Sequence, residues 1–171
     1  MKLLSFLVVA SAFLMLPVQS FAQSENNNAN PCLSSDASLG DSAFWANNSL
    51  ELYAQKNYEG AIKSVDACLN QWVSGAIKLQ QKFNTEKTEV PPLGKFTESE
   101  RKKIHENYIL NDVSIAIWVK ARSLEEIGQI DSAKKLYSNC IYLTHGRAWD
   151  PKGWFWSPSS DCVKRGRKLV D

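Results

Sequence analysis

The 171 residues suffice for one ordinary domain, and 20 basic against 18 acidic side chains give a formal net charge of only +2. So even a balance excludes bulk attraction to nucleic acid or to an anionic membrane surface. An apolar share of 44% with 22% charged residues is that of a globular chain and excludes an extended disordered one.

The chain opens on a signal-peptide pattern. Met1-Lys2 is a short basic start, Leu3 to Leu16 is apolar apart from Ser5 and Ser11, Pro17 ends any helix, and Ser20-Phe21-Ala22 offers small residues for cleavage. The apolar run is shorter than the ~20 residues of a spanning helix. This predicts a signal peptide at 1–22 and an exported chain, periplasmic or secreted, with no membrane span after cleavage. Residues 23–31, QSENNNANP, are polar and of low complexity and predict a flexible leader. The folded domain is expected at 32–171.

Residues Phe44 to Trp72 read as two helices separated by the polar break Gln55-Lys56-Asn57-Tyr58. In the second, Ala61, Ile62, Val65, Cys68 and Leu69 follow helical spacing, and the apolar series continues to Phe83. Pro91-Pro92 and Gly94 then make residues 84–96 a loop, because adjacent prolines remove donors and fix φ. Thr97-Glu98-Ser99-Glu100 has the form of a capping box and opens one long helix, supported by a Glu98–Lys102 pair and ending near Gly128. Asp131 is placed to cap the next helix, which runs to about Thr144, and Ser159 or Ser160 to cap a terminal helix ending near Leu169. No stretch alternates like a strand for more than a few residues. These elements predict an all-α fold.

Two of the helix pairs repeat one another. Residues 58–69, YEGAIKSVDACL, align with 130–141, IDSAKKLYSNCI, so that Ala61 matches Ala133 and Cys68 matches Cys140; upstream, Ser49 matches Ala121 and Leu52 matches Leu124. A small residue at each crossing lets antiparallel helices approach closely. These spacings resemble the tetratricopeptide repeat, which implies two antiparallel helix pairs plus a C-terminal capping helix in an alpha-alpha superhelix. The equivalent alanines lie 72 residues apart instead of the family's period of about 34, the excess falling in a longer second helix and the proline loop. Two repeats are fewer than the roughly three a stable array needs. Cys32, Cys68, Cys140 and Cys162 can make up the deficit as two disulfides. Cys32 with Cys68 and Cys140 with Cys162 is the favoured pairing, since each bond then joins neighbouring elements.

The segment 145–158, HGRAWDPKGWFWSP, carries Trp149, Trp154 and Trp156 around an Asp150-Pro151/Lys152-Gly153 turn. Its aromatic side chains either cap the apolar core or present a stacking surface. Together with Asn111-Asp112-Val113 and the alanine-spaced pair, it is similar to a group of small exported bacterial tetratricopeptide-like proteins, some labelled beta-glucanase precursor. The resemblance spans about Asn107 to Pro158 and implies a bacterial envelope or secreted setting; it carries no functional residues. The paired carboxylates of a glycosidase have no recognisable spacing here. G-x-S-x-G, glycine-rich phosphate loops, H-E-x-x-H and paired metal ligands are also absent from the sequence, so no catalytic residue, metal or cofactor is expected.

The expected function is therefore a non-catalytic scaffold or binding module for a protein or peptide, on a groove lined by the first helix of each pair. Candidate residues are Asn48, Glu51, Tyr53 and Gln55 on the first pair, Asn111, Lys120 and Arg122 on the long helix, and Arg147. The alternative is glycan binding or hydrolysis through Trp149, Trp154 and Trp156.

Overall fold

The computed structural model describes residues 30–170. The signal peptide expected at 1–22 and leader residues 23–29 lie outside the described residues. The elements are α1 (Asp41–Ala54), α2 (Tyr58–Glu86), α3 (Glu98–Glu106), α4 (Tyr108–Glu126), α5 (Ile130–Tyr142), β1 (Ala148–Asp150), β2 (Trp154–Trp156) and α6 (Pro158–Lys168). The fold is all-α, with one two-stranded antiparallel ribbon among the described residues.

The central helix is α4. Twelve of its nineteen residues are buried, so it has no single solvent face and must be covered on several sides. α1, α2, α5 and α6 all pack on it. α1 with α2, and α4 with α5, form two antiparallel hairpins whose turns are built alike. The amides of Gln55, Lys56, Asn57 and Ala61 donate to the carbonyls of Glu51, Tyr53, Leu52 and Asn57. Those of Ile127, Gly128, Gln129 and Ala133 donate to Ser123, Glu125, Leu124 and Gln129. Every member of the second set lies 72 residues after its counterpart, the interval between the two alanines. Both turns need one left-handed residue, Lys56 at φ 62° and Gly128 at φ 78°. Ala61 and Ala133 are fully buried, as are Ala116, Ala121 and Ser123 on α4.

Both disulfides form in the favoured pairing. Cys32–Cys68 ties the entry segment to α2 across a Cα separation of 5.5 Å, and Cys140–Cys162 ties α5 to α6 across 6.1 Å.

Several boundaries differ from the sequence expectation. The long helix predicted from Thr97 breaks at Asn107 into α3 and α4. The cause is Asn111, whose Nδ2 donates to Ile104 O at 2.7 Å and competes there with the helical backbone donor. The capping box at Thr97 and Glu100 forms as expected, but Glu98 pairs with Arg101, not with Lys102. Asp131 sits inside the first turn of α5, because the preceding turn makes Gln129 the cap residue. α6 is capped by Ser157, whose Oγ accepts from the Ser160 amide, with Pro158 as the first helical residue, where its missing N–H costs nothing. The aromatic segment folds back on itself as the ribbon β1–β2.

One buried carboxyl makes stability depend on pH. Asp112 on α4 accepts from Ser42 Oγ of α1 at 2.6 Å, yet burial pushes it from the ordinary 3.8 up to about 6. Between these values the folded chain holds a proton that the unfolded chain has lost, so the Asp112 contribution is intact below about pH 4 and declines as pH rises through 6. Asp112→Asn keeps an acceptor for Ser42 and removes the titration. Urea denaturation is expected to find the variant about 2–3 kcal/mol more stable than wild type at pH 7.5 and near equal to it at pH 4. Ala61→Leu and Ala133→Leu, at matched crossings, are each expected to lower stability by about 1–3 kcal/mol in the same assay.

Candidate functional site

The first helices of the two hairpins, α1 and α4, pack on each other, and α6 also packs on α4. Across them runs a connected row of rings. Tyr58 and Tyr53 have centroids 5.7 Å apart, Tyr53 meets Trp118 edge-on at 5.5 Å, and Trp118 meets Trp156 edge-on at 5.1 Å. None of the four is fully buried. Edge-to-face pairs use the ring quadrupole and hold each ring at a fixed angle. Trp118 Nε1 also donates to Asp161 Oδ2 on α6 at 2.7 Å, which ties the row to the terminal helix.

Charged groups run along the same row. The Arg122 guanidinium sits within 6 Å of the Tyr53 and Trp118 ring centroids. It donates to Tyr53 Oη at 2.8 Å and to Glu126 Oε1 at 2.9 Å. Burial opposes its charge, but Tyr53, Tyr137 and Glu125 together hold it above its ordinary value. Glu125 accepts from the Tyr137 hydroxyl and lies 3.7 Å from Arg165. Burial first, and the Glu125 carboxylate second, push the Tyr137 phenol far above its usual range. The network thus fixes a permanent cation, Arg122, which is itself buried, among half-buried aromatic rings and carboxylates.

Tyr53 and Arg122 are the sequence candidates that this row brings together, with Trp156 from the ribbon. Asn48 is exposed on α1 and donates to Ser64 Oγ on α2. Glu51 and Gln55 are also exposed. Lys120 instead pairs with Asp66 of α2 and lines a groove of about 370 Å³ between α2 and α5. Trp118, Asp161 and Arg165 were not among the candidates. Trp118 had a usable signal, since it lies one turn before Arg122 on the same helix face. Asp161 and Arg165 had none, because the sequence does not say which face of α6 meets α4.

The aromatic ribbon divides its rings between two faces. Pairing of Trp149 with Phe155, and of Asp150 with Trp154, puts Trp149 and Phe155 on one face and Trp154 and Trp156 on the other. Phe155 is buried and packs with Phe96, Trp149 and His105, which makes it the cap. Trp149 and Trp154 remain 44% and 38% exposed, on opposite faces, so they do not share one flat platform.

Arg147 and Asn111 are buried, and their polar atoms are spent on the backbone. Arg147 Nε donates to the carbonyls of Pro91 and Pro92 at 3.0 and 3.3 Å, Nη1 to those of Thr144 and Gly146 at 3.0 and 2.8 Å, and Nη2 to Pro91. No carboxylate accompanies it, and burial lowers its guanidinium to about 10. Asn111 Oδ1 accepts from the Arg147 amide at 2.9 Å. Together they staple the proline loop to the α5–β1 corner. Lys cannot reproduce this fork of donors. Arg147→Lys is expected to raise limited-proteolysis cleavage within residues 87–97 at least about fivefold, while the helical circular dichroism stays unchanged.

Comparison of the chain with protein-family models, curated proteins and solved structures returns no match.

Proposed function

We propose that this chain is an exported, tetratricopeptide-like scaffold that binds a protein or peptide partner on the face formed by α1, α4 and α6, without catalysis. The observation that carries the reading is the row Tyr53–Trp118–Trp156 with Arg122 held among its rings. Aromatic rings are prominent on protein-binding surfaces because they bury large area at little entropic cost, and the buried Arg122 serves to hold these half-buried ones in place. Here they are pre-positioned by edge-on contacts and charged hydrogen bonds, which lowers the ordering cost of association. The repeated turn geometry, 72 residues apart, supports the repeat assignment. Export is supported by the signal-like start and two disulfides, which persist in oxidising compartments. No described helix is long and apolar enough to cross a membrane.

One observation favours a second reading, glycan recognition: Trp154 is 38% exposed on the same ribbon face as Trp156, with the Lys152 ammonium over its ring. Affinity capture from the exported fraction with wild type, Tyr53→Ala, Trp156→Ala and Trp154→Ala separates the two. The scaffold reading expects a protein recovered by wild type to drop at least about tenfold with Tyr53→Ala and Trp156→Ala, each checked for native circular dichroism. Undiminished recovery by both variants would remove this face as the site. Binding on a glycan array that is lost with Trp154→Ala would put the glycan reading in its place.

A further inference from the structure

Residues 87–97 form the long connection that departs from the repeat period, and buried groups hold it along its length. His145 donates from Nε2 to Thr88 O at 3.0 Å, Arg147 takes the Pro91 and Pro92 carbonyls, and the Gly94 amide donates to Phe155 O at 3.0 Å. Gln80, fully buried on α2, fixes His145 in turn. Its Oε1 accepts from the His145 amide at 3.0 Å and its Nε2 lies 2.8 Å from Nδ1. Long loops without secondary structure that a rigid scaffold nonetheless holds in place are where binding sites concentrate.

What this bracing holds open is a groove of about 490 Å³ between the loop, the end of α2 and α3. That volume falls in the range of roughly 300–1,000 Å³ typical of small-molecule sites. Phe83, Val90, Pro91, Pro92 and Ile104 supply apolar walls. The Phe83 ring lies against the His145 imidazole with centroids 4.9 Å apart, and both imidazole nitrogens are already engaged, so His145 offers a ring face rather than a proton. The charged lining is unequal: Glu89 and Glu106, both exposed, and Glu100 stand against the ammonium of Lys103 and, behind the Pro91–Pro92 wall, the guanidinium of Arg147. Glu100 is engaged by Thr97 in the capping box but keeps its charge. Glu89 and Glu106 make no ion pair among the described residues.

We propose that this groove is a binding site for a small organic amine, a protonated nitrogen on an apolar body of about one ring. The apolar body replaces water against Phe83, Pro91 and Ile104, and the ammonium answers the Glu89 and Glu106 carboxylates. Attraction to ring faces adds to the preference for a cation. The site is built from other elements than the α1–α4–α6 face and does not depend on what that face binds.

The test uses three probes of matched size with the full mature chain: 2-phenylethylamine, 2-phenylethanol and 3-phenylpropionate, titrated by calorimetry and ligand-detected NMR. The amine is expected to bind at least about tenfold more tightly than the alcohol, with no saturable binding of the acid. Its affinity should fall several-fold at high salt, since the carboxylates are partly screened there. The double substitution Glu89→Gln with Glu106→Gln should weaken the amine at least about tenfold while the thermal midpoint is kept. Equal binding of alcohol or acid, amine binding that survives the double substitution, or no saturable amine binding at millimolar concentration would each overturn the proposal.

Discussion

Burial of α4 on nearly all sides is the constraint from which the architecture follows. A helix with so little solvent face needs neighbours that come close, and closeness needs small side chains at the crossings. Ala116, Ala121, Ser114 and Ser123 provide them on α4 itself; Ser49, Ala61 and Ala133 provide them on the helices around it. The polar members of this set return their hydroxyls to the backbone where they can, as Ser114 does to Leu110 O at 2.6 Å. With those positions filled by larger residues the hairpins could not share one interior, and the row of Tyr53, Trp118 and Trp156 would lose its alignment.

The sequence made the regular part of this arrangement legible, because the regular part is periodic. Apolar spacing located the helices, and the recurrence of Ala61 and Cys68 at Ala133 and Cys140 located the two equivalent hairpins. The Thr97 capping box was readable because its chemistry is local. The misplaced features depend on contacts distant in sequence. The break at Asn107 is set by a side chain four residues on that also answers Arg147. The cap of α6 is moved by the ribbon that precedes it. The candidate site was half legible: Tyr53 and Arg122 could be named from register, but Asp161 joins them only through the packing of α6 on α4. Nothing in the sequence announced that Arg147 would be buried without a carboxylate, since a guanidinium ordinarily signals a surface or an ion pair.

The two irregular segments of the chain recognise each other. The proline loop separates α2 from α3, and the aromatic ribbon follows α5; each has carbonyls or rings that the helical part does not satisfy. Proline carbonyls lie beside residues that donate no amide, so their partners must come from elsewhere. Arg147 supplies donors in a fixed planar fork, and Phe96 packs edge-on against both Trp149 and Phe155, which also touch each other, to close the apolar side. The Arg147 fork and the Phe96–Trp149–Phe155 cluster thereby close the two segments on each other.

The cysteine bonds join the first cysteine to the second and the third to the fourth, the partners standing 36 and 22 positions apart. This order has a bearing on biogenesis. When a chain meets an oxidant from its N-terminus onward, consecutive partners are the first available to one another, so the native set is also the set formed in order of emergence. No reshuffling by an isomerase is then required, and the seam between the two hairpins stays free of covalent links.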